Sequence, residues 1–205
     1  MAVKNLIESA VSDKVLILLK KMMQDKRVDQ FYLVGGTSLA LRLGHRMSVD
    51  IDLFTHENFD ADKMAETLIQ SYSAISLERE KNTVRAVISN VKVDLIAHRY
   101  QLLEPIEHIG DIRMASLKDI AAMKINAISS RGAKKDFWDF AALLSYFTTE
   151  EMLSFYEEKY SSVNAWHAEK SLSFFDDAED DPDPNDLSGQ TWAGIKRVIL
   201  KSLKM

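Results

Sequence analysis

Cysteine is absent from the 205 residues of the chain, so disulfide bonds and thiolate metal sites are excluded. No apolar run approaches the roughly 20 residues of a membrane-spanning helix. The opening stretch MAVKNLIESAVSDK carries acids where a secretory signal would hold an unbroken apolar segment. Together these features point to a cytoplasmic chain with no membrane partner. Internal repeats are also missing. His56, His98, His108 and His167 have no metal-ligand spacing, and His45 reads as a turn or packing residue.

A surplus of positive charge is lacking too, the formal net charge being −5. That figure is local in origin. The run Asp176 to Asp186, DDAEDDPDPND, holds seven acids and no base, and removing those seven charges from −5 leaves +2 for the remainder. Charge therefore does not exclude an anionic substrate, although the sequence has no large basic patch of the kind strong RNA binding calls for. With its two prolines, the acidic run reads first as a solvated loop, with an interaction surface or an extra cation site as alternatives, and it could cover the cleft or hang in solvent. Hydrophobic residues make up 46% of the chain and charged residues 28%, enough apolar material for a substantial buried core.

Periodicity divides the chain into an α+β N-terminal half, residues 1–112, and a helical half, residues 113–205, which includes the acidic loop 176–186. Val15, Leu18, Leu19 and Met22 form one helical stripe, predicting a helix over 13–26 with a shorter one before it. Strands are expected at 31–34, 49–54, 74–80, 83–89 and 91–97, with Ser89-Asn90 as a hairpin turn. Helices are expected at 38–43, stopped by Gly44, and around 61–68. After Arg113 the pattern is helical: from Ser116, a plausible N-cap with Asp119 completing an acidic capping box, to about 130, then 134–147, 149–160, 163–174 and 189–203.

The chemistry begins with FYLVGGTSLA, Phe31 to Ala40, and SVDIDLF, Ser48 to Phe54. Alternate residues of a strand share a face. Asp50 and Asp52 therefore lie together, while Val49, Ile51 and Leu53 read as core. Two carboxylates about 7 Å apart repel, and a cation between them removes that cost; Mg²⁺ suits carboxylate oxygens and keeps positions open for phosphate. In Val91 to Ile96, Lys92 and Asp94 lie on the polar face, so Asp94 completes a triad if the two strands are neighbours. A strand ending in Gly35-Gly36 permits a sharp turn and close approach of an anion. The hydroxyls of Thr37 and Ser38 and the following helix N-terminus offer donors and a positive dipole to phosphate.

In the helical half, Lys124 falls in the middle of the stripe Leu117, Ile120, Ala121 and Ile128. Asp136 lies on the apolar face of the next helix, with Asp139 at its edge. Charges on inward faces are costly unless paired. Lys124 and Asp136 either form a structural ion pair or place Lys124 in a cleft with Asp136 orienting it; the two readings are compatible. Asp139 could tie its helix to a neighbour. Arg131, Lys134 and Lys135 surround the intervening turn and could hold phosphate, as could Arg42 and Arg46 beside the glycines. Trp138, Trp166 and Trp192 read as packing residues.

The segment YLVGGTSLALRLGHRMSVDIDLF, with the later Asp94 and the block LKDIAAMKINAISSRGAKKDFWDFAALL, resembles the AbiEii/AbiGii toxin family of nucleotidyltransferases, relatives of DNA polymerase β. The motifs run in the family's order from about residue 30 to 145. The resemblance implies a nucleotidyltransferase-type mixed sheet with flanking helices. It also implies transfer of an NMP from an NTP to an acceptor hydroxyl, with release of pyrophosphate. Asp50, Asp52 and Asp94 would bind two Mg²⁺ ions, Gly35, Gly36, Thr37, Ser38, Arg46 and Lys124 would hold the nucleotide, and Lys124 and Asp136 would be catalytic. The implied partners are tRNA or another RNA as acceptor and a cognate antitoxin protein. Two alternatives stay open: transfer to a small hydroxyl compound, as in antibiotic-inactivating relatives, and a non-catalytic nucleotide-binding module.

Overall fold

The computed structural model describes residues 5–161 and 165–204. The stripe of the first long helix folds as α1 (Asp13–Gln24), capped by the Ser12 hydroxyl, which accepts from the Val15 amide at 3.4 Å. A single 3₁₀ turn, Glu8–Ala10, precedes it. All four stripe residues are buried. Against them lies a sheet of β1 (Tyr32–Leu33), β2 (Ile51–Thr55), β3 (Ile75–Glu80), β4 (Thr83–Ile88), β5 (Val91–Ala97), β6 (Glu107–Ile109) and β7 (Ile112–Met114), in the order β3-β4-β5-β2-β1-β7-β6 among the described residues. Pairing is mixed: β2 runs parallel to β5, and β1 antiparallel to β2 but parallel to β7. The turn joining β4 to β5 is Ser89-Asn90, both left-handed, as a tight hairpin with right-handed strand twist requires.

Two apolar clusters cover the sheet. On one face α1 and α3 (Ala61–Tyr72) pack on Ile51, Leu53, Val84, Val93 and Leu95. On the other, Tyr32 and Val34 join Leu39 of α2 (Gly35–Leu43) to α4 (Leu117–Ser130), α5 (Lys134–Leu143), α6 (Thr149–Lys159) and α8 (Trp192–Ser202). Alternation along β1 thus sends Leu33 to the first cluster and its two neighbours to the second. Full burial of one Leu or Phe contributes roughly 1.5–3 kcal/mol, and Phe31, Leu19, Phe137 and Trp138 are among the largest wholly buried side chains. α7 (Ala165–Ser171) is shorter than the helix expected over 163–174, whose residues 163 and 164 lie outside the described residues. Among the described residues no helix is long and apolar enough to cross a membrane.

Several expectations need correction. Val49 is 62% exposed, not core, because β2 begins only at Ile51 and alternation does not extend back to residue 49. α2 begins at Gly35 rather than residue 38, since Gly35 takes a positive φ of 70° and turns straight from strand into helix. α5 stops at Leu143, where a turn leads into the Thr148 capping box of α6. The hairpin of β6 and β7 was not expected; its strands of three residues are too short for alternation to register. Ser116 does cap α4, and the wholly buried Asp119 carboxylate reaches back to the Ser116 hydroxyl at 2.7 Å rather than to its amide. It accepts from the amides of Leu103 and Glu104 and from Lys159 Nζ at 2.7 Å, fastening a loop and α6 to the start of α4.

Candidate active site

The parallel register of β2 and β5 sets Asp52 directly opposite Asp94. Asp50 immediately precedes β2, and its carboxylate lies 3.9 Å from Lys135 Nζ. Burial raises the pKa of Asp52, and the neighbouring charges of Asp94 and Asp50 add to the rise, against the pull of Lys124. Asp94 is buried, and its Oδ1 has no hydrogen-bond partner; its Oδ2 is 3.8 Å from Arg85 Nε and 3.5 Å from Lys92 Nζ. One unpaired buried carboxylate oxygen, on Asp94, beside two further acids is a donor set that fits a hard divalent cation. As the side chains stand, no three acids or histidines among the described residues converge closely enough to hold an ion.

The two glycines answer to different neighbours. A Cβ on Gly35 would stand 2.5 Å from Asp52 Oδ2, so the bare backbone makes room for that carboxylate. A Cβ on Gly36 would collide with Arg46 Nη2. No side chain caps the N-terminus of α2, and Gly35 and Gly36 line the cavity described below. The hydroxyls of the next two residues are not turned to that cavity. Thr37 Oγ1 donates to the Asp50 carbonyl and meets Ser48 Oγ at 2.8 Å, which braces the segment carrying the acids. Ser38 is wholly buried in the helix packing.

Behind the glycines lies a buried charge cluster centred on Asp139. Its carboxylate accepts from Arg46 Nε at 2.6 Å and Nη2 at 2.8 Å and from His45 Nε2 at 2.7 Å, and pairs with Lys124 Nζ at 2.6 Å. Lys124 Nζ also donates to Asp136 Oδ1 at 3.0 Å, and Arg131 forks onto Asp136 at 2.7 and 2.9 Å. Burial alone would push the Lys124 ammonium's pKa down, but Asp139 and Asp136 outweigh it and hold the pKa above its usual value. Burial likewise opposes the charge of Asp139, yet Lys124, Arg46 and His45 keep its pKa well below the carboxylate range. Each charge is paired in this dry region, the condition under which such groups can persist.

One cavity of about 820 Å³ opens beside these parts; Asp94, Asp136 and Asp139 lie behind its wall rather than on it. Gly35, Gly36, Arg46, Asp50, Asp52, Lys124, Arg131 and Lys135 line it, and Phe54, Met123, His98 and Tyr160 form an apolar flank. The acidic run closes the opposite side. Of the readings open for it, covering the cleft is the one seen, and the run is tied down: Asp181 accepts from the Lys134 amide and so caps α5, and Lys134 Nζ reaches Asp183 at 3.1 Å and two carbonyls of the run. Trp138 Nε1 donates to Asp186, and the Met47 amide donates to Asn185 O. Lys134 thus serves this strap and does not line the cavity, and Arg42 is taken by Glu107 and the Ala115 carbonyl, away from the site.

Asp139, His45, Phe54 and Tyr160 take larger parts in the site than their sequence context suggests. Some signals were still present: Asp139 follows Asp136 by one helical turn, and Phe54 follows Asp52 on the same strand face. Nothing local marked the strap, whose partners are some 45 residues away in sequence.

Comparison with known proteins agrees with this architecture. The family model described as nucleotidyl transferase AbiEii toxin, type IV toxin–antitoxin system, matches residues 17–201, reaching beyond the motifs into the last helix. The Aquifex aeolicus protein aq_aa25, whose name assigns no function, is 34% identical over 169 residues, covering 80% of this chain and 82% of its own. A Helicobacter pylori crystal structure described as a candidate nucleotidyltransferase superposes with a TM-score of 0.57 at 15% identity, over 94% of each chain. JHP933, also from Helicobacter pylori, superposes with a TM-score of 0.52 at 15% identity, over 95% of this chain and 94% of that one. At such identity the structures share a fold.

Proposed function

Because this chain belongs to the AbiEii family of toxin nucleotidyltransferases, we propose that it transfers an NMP from an NTP to a hydroxyl of an RNA acceptor, tRNA first among them. In this reading it works in the cytoplasm and is held in check by a cognate antitoxin protein. The observation that carries the reading is the facing pair Asp52 and Asp94 beside the uncapped, glycine-rich start of α2, with Lys124 in the same cavity.

Asp50, Asp52 and Asp94 would hold Mg²⁺, which supplies charge neutralisation at the phosphates and a more acidic acceptor hydroxyl. The amides at the start of α2 bind phosphate oxygens with the help of the helix dipole. Lys124, fixed by Asp136 and Asp139, and the more exposed Arg131 and Lys135 offset the charge of the triphosphate. Arg46 positions Asp139 and adds to the positive field. The acceptor oxygen forms a bond to the α-phosphorus as the bond to the β-phosphate oxygen breaks. Pyrophosphate leaves with the electron pair, and Asp94 Oδ1, which no protein group engages, takes the hydroxyl proton. Positioning and electrostatics do most of the work in such a transfer.

A second reading, transfer to a small hydroxyl compound, draws on the strap. Asp181 and Asp183 line the cavity, and acids at the acceptor side suit a cationic molecule better than an RNA backbone. Both readings meet one experiment: each α-³²P-labelled NTP with Mg²⁺ and total bacterial RNA, using wild type and Asp50→Ala/Asp52→Ala. Label on tRNA-sized RNA with wild type alone supports the first. Pyrophosphate released only with small cationic hydroxyl compounds supports the second. Neither product, at any NTP, rejects both.

A further inference from the structure

The cavity has an end that the chemistry above does not use. β1 runs antiparallel to β2, so Val34 and Gly35 lie beside Asp52 whereas Tyr32 lies beside Phe54. The glycine cradle is therefore level with Asp52 and the residues before it, and Phe54 lies beyond Asp52 at the other end of the strand. Phe54 projects from the same face as Asp52, about 7 Å further on. On β5 the same face passes from Asp94 to Ile96 and then to His98, whose amide donates to the Thr55 carbonyl at 2.7 Å. The Phe54 and His98 rings stack there, with centroids 5.3 Å apart and planes at 28°. Tyr160 Oη meets His98 Nε2 at 3.2 Å and fixes the imidazole, while His98 Nδ1 is buried without a partner.

With its phosphates at the cradle and the α-phosphate over the carboxylates, a nucleotide must point its nucleoside toward this end. We propose that the stacked pair Phe54 and His98 is the platform on which the nucleobase rests, with Asn126 of α4, which lines the same cavity, at the base edge. This rests on the nucleotidyltransferase reading and adds the residues that separate a nucleotide from a bare polyphosphate. His98 suits the role because burial, reinforced by Lys159, lowers its pKa to about 4, so that it stays a neutral aromatic ring near pH 7. Base stacking on an aromatic ring is sequence-tolerant, so the platform favours any base over none and leaves discrimination to polar groups at the edge.

The test is calorimetric titration with Mg-NTP and with inorganic tripolyphosphate, without acceptor. Wild type should bind NTP about 10-fold or more tightly than tripolyphosphate, and Phe54→Leu, which keeps apolar packing but removes the ring, should lose that margin. Tripolyphosphate affinity should stay within about two-fold, which also reports an intact fold, and Phe54→Trp should keep NTP binding. The platform is overturned if Phe54→Leu binds NTP as wild type does, or loses both ligands equally, or if wild type binds the two ligands alike. The last result leaves the transferase reading standing. Failure of wild type to bind either ligand sinks both.

Discussion

The guanidinium of Arg46 occupies the space that any side chain at Gly36 would need. It reaches over the start of α2 to form two hydrogen bonds with Asp139. Gly36 is thereby part of the buried charge cluster as much as of the glycine turn. Gly36→Ala should dislodge one or both of these bonds and lower stability by about 2–3 kcal/mol, the cost of loosening a buried charged pair. Urea unfolding of the two proteins measures this directly, and an unchanged midpoint would mean the guanidinium moves aside freely.

Asp139 carries more of the cluster than Asp136 does. Its removal leaves Arg46, Lys124 and His45 without their common partner in a dry environment. We expect Asp139→Ala to cost about 3–5 kcal/mol. Asp136→Ala should cost less, because Arg131 is more than half exposed and recovers its hydration. Acid acts in the same direction. The pKa values of both carboxylates lie below the ordinary value, so their stabilisation is complete above about pH 4 and disappears as the pH falls through their folded-state pKa values. Parallel denaturation curves ranking the two variants in the opposite order would contradict this account.

Asp52 should behave in the opposite sense. Its pKa is raised on folding, chiefly by burial, so its ionised form at pH 7 burdens the native state. Asp52→Asn is expected to abolish nucleotide transfer while raising the Tm measured in chelator. Mg²⁺ should raise the Tm of wild type and have little effect on the variant. A variant less stable than wild type in chelator would show that the carboxylate is anchored by contacts other than those described.

His98 adds a pH dependence of its own. Its pKa is lowered on folding from 6.5 to about 4, so the unfolded chain binds more protons between those values and stability rises with pH across that window. The contribution is roughly 2–3 kcal/mol, reduced by partial exposure. His98→Phe should flatten the stability profile between pH 4 and 6.5 relative to wild type. Superimposable profiles would mean that the imidazole protonates in place.

Lys134 holds the acidic strap by its Nζ, and its amide donates to Asp181, the strap residue that caps α5. Lys134→Met removes only the former. The strap should then be cut faster by an acid-specific protease within 176–186, while the Asp181 cap on α5 keeps the helix formed. Equal cutting rates would assign the fastening to Asp186, through Trp138 and Ser188.

The strands, most helices and the order of glycines, paired acids, third acid and inward lysine could be read from the chain because each depends on local periodicity. Alternation placed Asp52 on a polar face, and the 3.6-residue repeat exposed Lys124 as a charge on an apolar stripe. Which groups meet across the fold could not be read, because register and docking depend on contacts distant in sequence. The antiparallel course of β1 decided that the cradle sits level with Asp52 while Phe54 lies beyond it, at the end away from Asp50. Helix packing made Asp139 the hub and turned the Thr37 hydroxyl inward to the Asp50 carbonyl. The acidic run has no apolar period to betray a partner, so only tertiary hydrogen bonds with α5 and the segment after α2 reveal it as a strap.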